Sequence, residues 1–263
     1  ANTVSQLIAD FDGKTPLMKS FGSGTGVLLT HALPSTKQAN SGKRSCELKL
    51  YSGSIFINFP FMPKLWGRPV NFSTWLYNNG HDLSMSLELK GAEGERIGFS
   101  TKVPGWKGWK KVEINTSGKP YFKYNLFGAA NGKLDIPNHL FGLHINLPGA
   151  TEPVYLDDIK FEQVLEKGTA GSLDFSSEHA GNQFITGKEV NLTGSLANLS
   201  GSPFDGTVHA EVVDFFGKPV LTKDFKVNAK AGAEQQFAAN FGKLKRGYYE
   251  ARFSAEPGGK EIK

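Results

Sequence analysis

The chain has 263 residues and a net charge of +5, with 21% charged residues, 39% hydrophobic residues, 20 Phe and 31 Gly. Its length suits one large or two ordinary domains, at about 100 to 200 residues each, and its composition is globular, rich in β-formers and turn residues. No apolar run approaches the about 18 residues of a membrane-spanning helix, and a single cysteine, Cys46, excludes an intramolecular disulfide.

The N-terminus shows no signal-peptide hydrophobic core, so a soluble or already processed chain is expected. Residues 1–165 hold 18 Lys and Arg against 13 Asp and Glu, whereas residues 166–263 hold 12 of each. The positive excess therefore belongs to the first segment. It is too mild and too scattered for the basic stripe of a nucleic-acid binder, and it is compatible with a neutral or acidic ligand.

Sustained helical periodicity is absent, and alternation takes its place. Cys46 sits in SCELKL between apolar positions with no nearby His, and reads as a small core hydrophobe. In NFSTWLYNNG (71–80), Phe72, Thr74 and Leu76 share one face, Trp75 and Tyr77 the other, and NNG predicts a hairpin turn. LSMSLELKG (83–91) sets Leu83, Met85, Leu87 and Leu89 inward and Ser84, Ser86, Glu88 and Lys90 outward. ERIGFSTKV (95–103) sets Ile97 and Phe99 inward and Arg96, Gly98 and Ser100 outward. WKKVEIN (109–115) and FGLHINL (141–147) follow, the latter with His144 and Asn146 opposite Leu143, Ile145 and Leu147.

VYLDDIKFE (154–162) closes the series with two adjacent aspartates, Asp157 and Asp158, inside an apolar strand. Neighbours in a strand point to opposite faces, and a carboxylate turned towards a core costs several kcal/mol unless something pairs with it. A flexible run, EKGTAGS (166–172), then marks a boundary. Beyond it, about seven further short strands predict a second, smaller sandwich of immunoglobulin-like or fibronectin-like kind, and the closing GGKEIK suggests a turn leading into another strand. The fold class expected from this pattern is all-β, an antiparallel sandwich over 1–165 followed by the smaller sandwich over 166–263, and the first of them is a jelly roll by the resemblance that follows.

Four pieces carry a family likeness: LIADFDG (7–13), ANSGKRSCELKL (39–50), RPVNFSTWLYNNG (68–80), and GLHINLPG with VYLDDIKFE near the end of the segment. Together they resemble the calcium-containing jelly-roll carbohydrate-binding modules of multidomain glycoside hydrolases. The second segment resembles, more loosely, the sandwich modules that link such units to catalytic domains. The resemblance implies a structural Ca2+ where the first and last strands meet, with Asp12 and Asp157 as carboxylate ligands, Asp10 and Asp158 in reserve, and carbonyls of residues 40–43 completing the shell. The alternative is that Asp157 caps a turn or pairs with a lysine.

The resemblance also implies a concave sheet face that binds a polysaccharide or oligosaccharide. Sugar C–H faces stack on aromatic rings, and sugar hydroxyls need directional polar partners. The candidate ligand residues are Trp75, Tyr77, Glu88, Arg96, His144, Asn146 and Trp106. Trp66 reads as a plug, Trp109 as structural, and YFKYNLFG (121–128) as packing, with Tyr121 or Tyr124 as outside candidates. No pair of carboxylates has the same-strand spacing of a jelly-roll glycosidase, and YFK alone reproduces too little of an alginate-lyase pattern. The expectation is thus a non-catalytic module, secreted or periplasmic, accessory to a covalently attached glycoside hydrolase domain. A purely structural or protein-binding pair of sandwiches is the alternative, with a polysaccharide lyase behind it.

Overall fold

The structure is a computed structural model that describes residues 3–14, 18–23, 31–49, 53–59, 62–125, 137–146, 152–177, 179 and 182–263. No α-helix occurs among the described residues. The chain divides into two units, Ala1–Glu166 and Lys167–Lys263.

In chain order the first unit contains β1 (Thr3–Ala9), β2 (Lys19–Ser23), β3 (His31–Ser35), β4 (Ser45–Lys49), β5 (Ser54–Asn58), β6 (Arg68–Asn79), β7 (Leu83–Lys90), β8 (Glu95–Val103), β9 (Lys107–Asn115), β10 (Phe122–Asn125), β11 (His139–Asn146) and β12 (Val154–Val164). They form two six-stranded sheets of a jelly-roll sandwich. One sheet runs β3-β4-β12-β6-β9, with β1 also on β12, and the other runs β10-β8-β7-β11-β5-β2. The alternation read from the sequence sets the core. Leu83, Met85, Leu87 and Leu89 of β7 with Leu143 and Ile145 of β11, from one sheet, pack with Phe72 and Leu76 of β6 and Leu156 and Phe161 of β12, from the other, in one buried cluster. Cys46 lies in this cluster, and burial pushes its thiol up to about 12, so it is inert at neutral pH.

One local expectation is corrected. NNG does not close a hairpin: β6 pairs with β12 and β9, whereas β7 pairs with β11 and β8. The turn carries the chain from one sheet to the other. It is held by Asn78, fully buried, which donates from Nδ2 to the His81 carbonyl at 2.8 Å and accepts the His81 N–H at 3.2 Å. Gly80, at φ 98°, donates to the Trp106 carbonyl on the other crossover.

A buried polar pair ties the loop before β6 to the terminal strands. Gln163 Nε2 donates to Gln6 Oε1 at 2.6 Å, Gln6 Nε2 donates to the Lys64 carbonyl, and Gln163 Oε1 accepts the Gly67 N–H. Trp66 is buried beside them, as a plug should be. Replacing Gln163 with Ala leaves the Gly67 amide without its partner in a dry site, while Gln6 Oε1 keeps only the Trp66 N–H at 3.3 Å. The expected loss is about 2 kcal/mol of stability in the first unit, read as a lower midpoint in urea with an unchanged slope.

The second unit contains β13 (Gly171–Ser176), β14 (Glu189–Asn198), β15 (Phe204–Asp214), β16 (Pro219–Ala229), β17 (Glu234–Lys243) and β18 (Tyr249–Ser254). Among the described residues these are six strands where about seven were expected, in two three-stranded antiparallel sheets, β13-β14-β17 and β16-β15-β18. Leu173, Leu196, Phe204, Val208 and Val227 form one core cluster, and Val212, Ala239 and Phe241 a second, with Phe175, Phe237 and Phe253 packed against both.

Candidate functional site

The paired aspartates sit where β12 changes partner. Val154–Leu156 pair with β4, Ile159–Val164 pair with β1, and the register against β6 slips by one residue between Asp157 and Lys160. Asp158 takes φ 49° in this bulge and lies 3.6 Å from Lys160 Nζ. Asp157 is fully buried. Its Oδ2 accepts the backbone N–H groups of Asn40 and Ser41 at 2.9 and 3.0 Å, and its Oδ1 accepts that of Asp158 at 2.9 Å. Burial pushes the carboxyl up from its ordinary value, and the three amides oppose that rise.

Asp12 meets the other end of the same turn. Its two carboxylate oxygens accept the Lys43 N–H at 3.0 Å each, its carbonyl accepts from Arg44 Nη2, and the Arg44 Nε lies 4.0 Å from Oδ1. Gly42, at φ 60°, lies so close that a Cβ there would collide with the Asp12 carboxylate. Asp10 caps its own turn, accepting the N–H groups of Asp12, Gly13 and Lys14. Burial works against its ionisation, but these amides together outweigh it and hold the carboxyl below its ordinary value.

Asp12 and Asp157 thus both close on the turn at 40–43, which forms a clasp between the ends of the unit. The chemistry of the clasp differs from expectation. A calcium ion wants about six to eight oxygens, whereas this turn offers its N–H groups, and a guanidinium stands at Asp12. Among the described residues no three His, Cys, Asp or Glu side chains are grouped to hold a metal. This donor set does not fit calcium, and it matches the alternative of a turn-capping Asp157.

The candidate ligand residues fall on two different sheets. Trp75 and Tyr77 are on β6, in register with Asp157 and Tyr155 of β12 and with Lys111 and Trp109 of β9. Tyr77 is wedged edge-on between Trp109 and Tyr155, with ring centroids at 5.5 and 5.9 Å. Trp106, on the connection from β8 to β9, packs against the core, donates from Nε1 to the Gly108 carbonyl and lies beneath Lys110 Nζ. Trp75 and Tyr77 therefore do not share a face with Glu88, Arg96, His144 and Asn146, which all belong to the other sheet. Tyr121 is exposed beside β10, and the Tyr124 side chain lies outside the described residues.

On that other sheet the register lines up successive rows of outward residues. Phe56, His144, Ser86 and Ser100 form one row, and Asn58, Gly142, Glu88 and Gly98 the next. A third row is Ser54, Asn146, Ser84 and Lys102, while Arg96 stands opposite Lys90. A bulge between Leu140 and Gly142 breaks the alternation of β11. It turns Phe141 to this face, 6.0 Å from the Phe56 ring. Phe56 also reaches His144, with centroids 6.5 Å apart, and lies over Gly142, where any Cβ would strike its ring and come within 2.8 Å of the Ile57 carbonyl.

Arg96 completes the cluster. Its guanidinium lies 4.1 Å from the Phe141 ring centroid, and its Nε and Nη2 both bond Glu88 Oε2. Gly98, opposite Glu88, leaves space for this diagonal pair. Glu88 and Arg96 keep only 13% and 24% of their side-chain area exposed, so the pair is held in place rather than waving in solvent. Glu88 Oε1 and Arg96 Nη1 take no part in the pair. Phe56 and Phe141 were not singled out from sequence. SIFIN (54–58) does carry the alternation that turns Phe56 outward, whereas nothing local announces the bulge at Phe141.

Neither a family model nor a curated protein matches the chain. Solved structures similar to it include a family 11 carbohydrate-binding module from a cellulosomal cellulase of Clostridium thermocellum, 17% identical, covering 64% of this chain and 99% of that one, at a TM-score of 0.45. The same kind of module in complex with a β-1,3-1,4-mixed-linked tetrasaccharide is 17% identical over 63% of this chain and 99% of that one, at 0.46. A family 30 carbohydrate-binding module is 14% identical over 61% and 99%, at 0.41. The tetrasaccharide is the ligand of that protein, and the jelly-roll architecture of this chain rests on its own strand pairing.

Proposed function

We propose that the first unit is a non-catalytic polysaccharide-binding module whose ligand lies across the outer face of β5, β11, β7 and β8. One observation carries this reading: two phenylalanines, a histidine and a fixed carboxylate–guanidinium pair converge on one sheet face, among Ser, Gly and Asn positions that leave room. The rings offer surfaces for sugar C–H faces, and Glu88 Oε1, Arg96 Nη1, His144, Asn146 and Asn58 offer directional partners for hydroxyls. Four strands at about 4.8 Å spacing give the rows a length of about 14 Å, enough for a short run of sugars.

Glu88 is the one carboxylate among the described residues whose strand position falls on this face, whereas glycoside hydrolysis needs two facing the same bond. That favours binding over catalysis. Lys90, Arg96 and Lys102 outnumber it, which favours anionic glycans or neutral glycans over cationic ones. In this reading the second unit, as an immunoglobulin-like spacer, joins the module to a glycoside hydrolase domain in a secreted or periplasmic protein and keeps that domain close to its substrate.

Affinity electrophoresis through gels containing mixed-linked β-glucan, xylan, galactan or sulfated and uronate polysaccharides tests the proposal. At least one should retard the protein. Uniform mobility in all gels, with no heat in calorimetric titrations of the same polymers, leaves a structural pair of sandwiches as the better account. Release of unsaturated sugars would instead mark a lyase.

A further inference from the structure

Three connections of the second unit meet at one end of its sandwich. The turn 215–218 joins β15 to β16, the loop 244–248 joins β17 to β18, and the segment ending at Lys188 leads into β14. The register brings them together, with Val213 opposite Pro219, Asp214 opposite Tyr249, and Lys243 opposite Glu189.

Apolar groups at this end are turned outward. Phe215 is 73% exposed, Phe216 89% and Tyr248 67%, and Ile185, in the turn before β14, is 70% exposed. Phe215 touches the other two rings edge-on, with centroids 5.4 Å from Phe216 and 6.1 Å from Tyr248. In water these rings forfeit the burial that each would gain in an apolar medium. The turn that carries them is closed on itself. Asp214 Oδ1 accepts the N–H groups of Phe216 and Lys218 at 2.9 Å each, and the Asp214 carbonyl accepts that of Gly217, which takes φ 78°. The N–H groups of residues 216–218 are therefore satisfied within the turn, so its tip can leave water without stranding them.

The rim of this end is basic. Lys188, Lys218, Lys243, Lys245 and Arg246 are all exposed, and none of them forms an ion pair with a described residue. The carboxylates beside them are engaged elsewhere: Asp214 with its two amides, Glu189 with Asn240 Nδ2, and Glu250 with Arg252. An apolar tip inside a cationic ring is complementary to a surface with an apolar interior beneath anionic headgroups.

We propose that this end of the second unit docks on an anionic lipid bilayer. Phe215 and Phe216 enter the boundary between headgroups and acyl chains, Tyr248 lies at headgroup level, and the five cations meet lipid phosphates. The ring geometry selects a bilayer over a glycan. Phe215 stands at 85° to Phe216 and 84° to Tyr248, so the three rings share no plane on which a run of sugars could stack, whereas a fluid bilayer accepts a convex tip.

The test is flotation of the full chain with vesicles of phosphatidylcholine, alone or with about 30% phosphatidylglycerol. Partition into the anionic vesicles should exceed that into the neutral ones and fall at about 0.5 M NaCl. Phe215→Ser combined with Phe216→Ser should weaken it about 30-fold, and Lys243→Glu, Lys245→Glu and Arg246→Glu together about 100-fold, both with the melting temperature of the second unit unchanged. A Phe216→Trp variant supplies a readout that needs no loss of binding. The native tryptophans all lie in the first unit, so brominated acyl chains should quench the variant's emission beyond that of the parent. Equal partition into both kinds of vesicle, an unaffected double serine variant, or no added quenching overturns the proposal. So does a dimer that dissociates in the double serine variant, which would make the tip a contact between copies, or retardation in a uronate polysaccharide gel that this variant loses, which would make it a sugar platform.

Discussion

Asp157→Ala should cost the first unit about 3 kcal/mol, and lower its melting temperature by roughly 8 °C at this size. The reason is an asymmetry. The substitution removes one buried charge, which by itself is favourable, but it strands the amides of Asn40, Ser41 and Asp158, each of which donates to that carboxylate. Unsatisfied donors cost about 1–3 kcal/mol apiece where water cannot follow. Asn40 and Ser41 are partly exposed, so water recovers a share, and the total stays below the sum of three. Asp157→Asn should cost about half as much. Its carbonyl serves Asn40 and Ser41, while its NH2 is turned against the Asp158 N–H.

The pH dependence has a definite sign. Because burial raises the Asp157 carboxyl, the folded state binds a proton more readily than the unfolded chain. This residue's charge is therefore a cost at neutral pH that shrinks as pH falls through the raised value. Asp10 runs the other way: its lowered carboxyl contributes stability above its ordinary value that is lost as pH falls through the folded one. Since amides close the clasp, exhaustive chelation should leave the melting temperature within about 1 °C, and added Ca2+ should not raise it. A calcium-dependent rise would mean that the turn at 40–43 presents carbonyls in solution, and would overturn the amide clasp.

The aspartate pair also shows what the sequence could yield. Apolar positions fall at Val154 and Leu156 and then at Ile159 and Phe161, so the phase of two slips by one residue at Asp157–Asp158. Such a slip is the signature of a β-bulge, and it is legible in the order of residues alone. The partner of the carboxylate is not, because whether a turn offers its N–H or its C=O groups depends on peptide orientation, which residue type does not encode at Asn40 and Ser41. The strand faces of β7, β8 and β11 follow from the sequence because alternation is local. The neighbours of β6 do not, because a hairpin and a crossover between sheets share the same turn residues. What decides between them is pairing across long separations, Tyr77 with Tyr155 and Ser86 with His144.

On the proposed reading that difference moves the platform from one sheet to the other, and it makes the two faces separable by mutation. Phe56→Ala combined with Phe141→Ala should weaken binding of whichever polysaccharide the protein retains by about 30-fold, or about 2 kcal/mol, as expected for paired aromatic anchors at the centre of a contact. Phe141 has two roles. It offers its own face, and it is the surface against which the Arg96 guanidinium is stacked, so its loss also frees the Glu88–Arg96 pair and adds an entropic cost to each hydroxyl contact. Arg96→Lys keeps the charge but abolishes the planar fork that meets both the ring and Glu88 Oε2, and should cost about tenfold. Trp75→Ala, on the opposite sheet, should leave affinity within about twofold once circular dichroism confirms the fold, since its neighbours there are Lys111 and the buried clasp. The reverse pattern, with binding lost in Trp75→Ala and kept in the double phenylalanine variant, would place the ligand on the β6 and β9 face and would falsify the site assigned to β5, β11, β7 and β8.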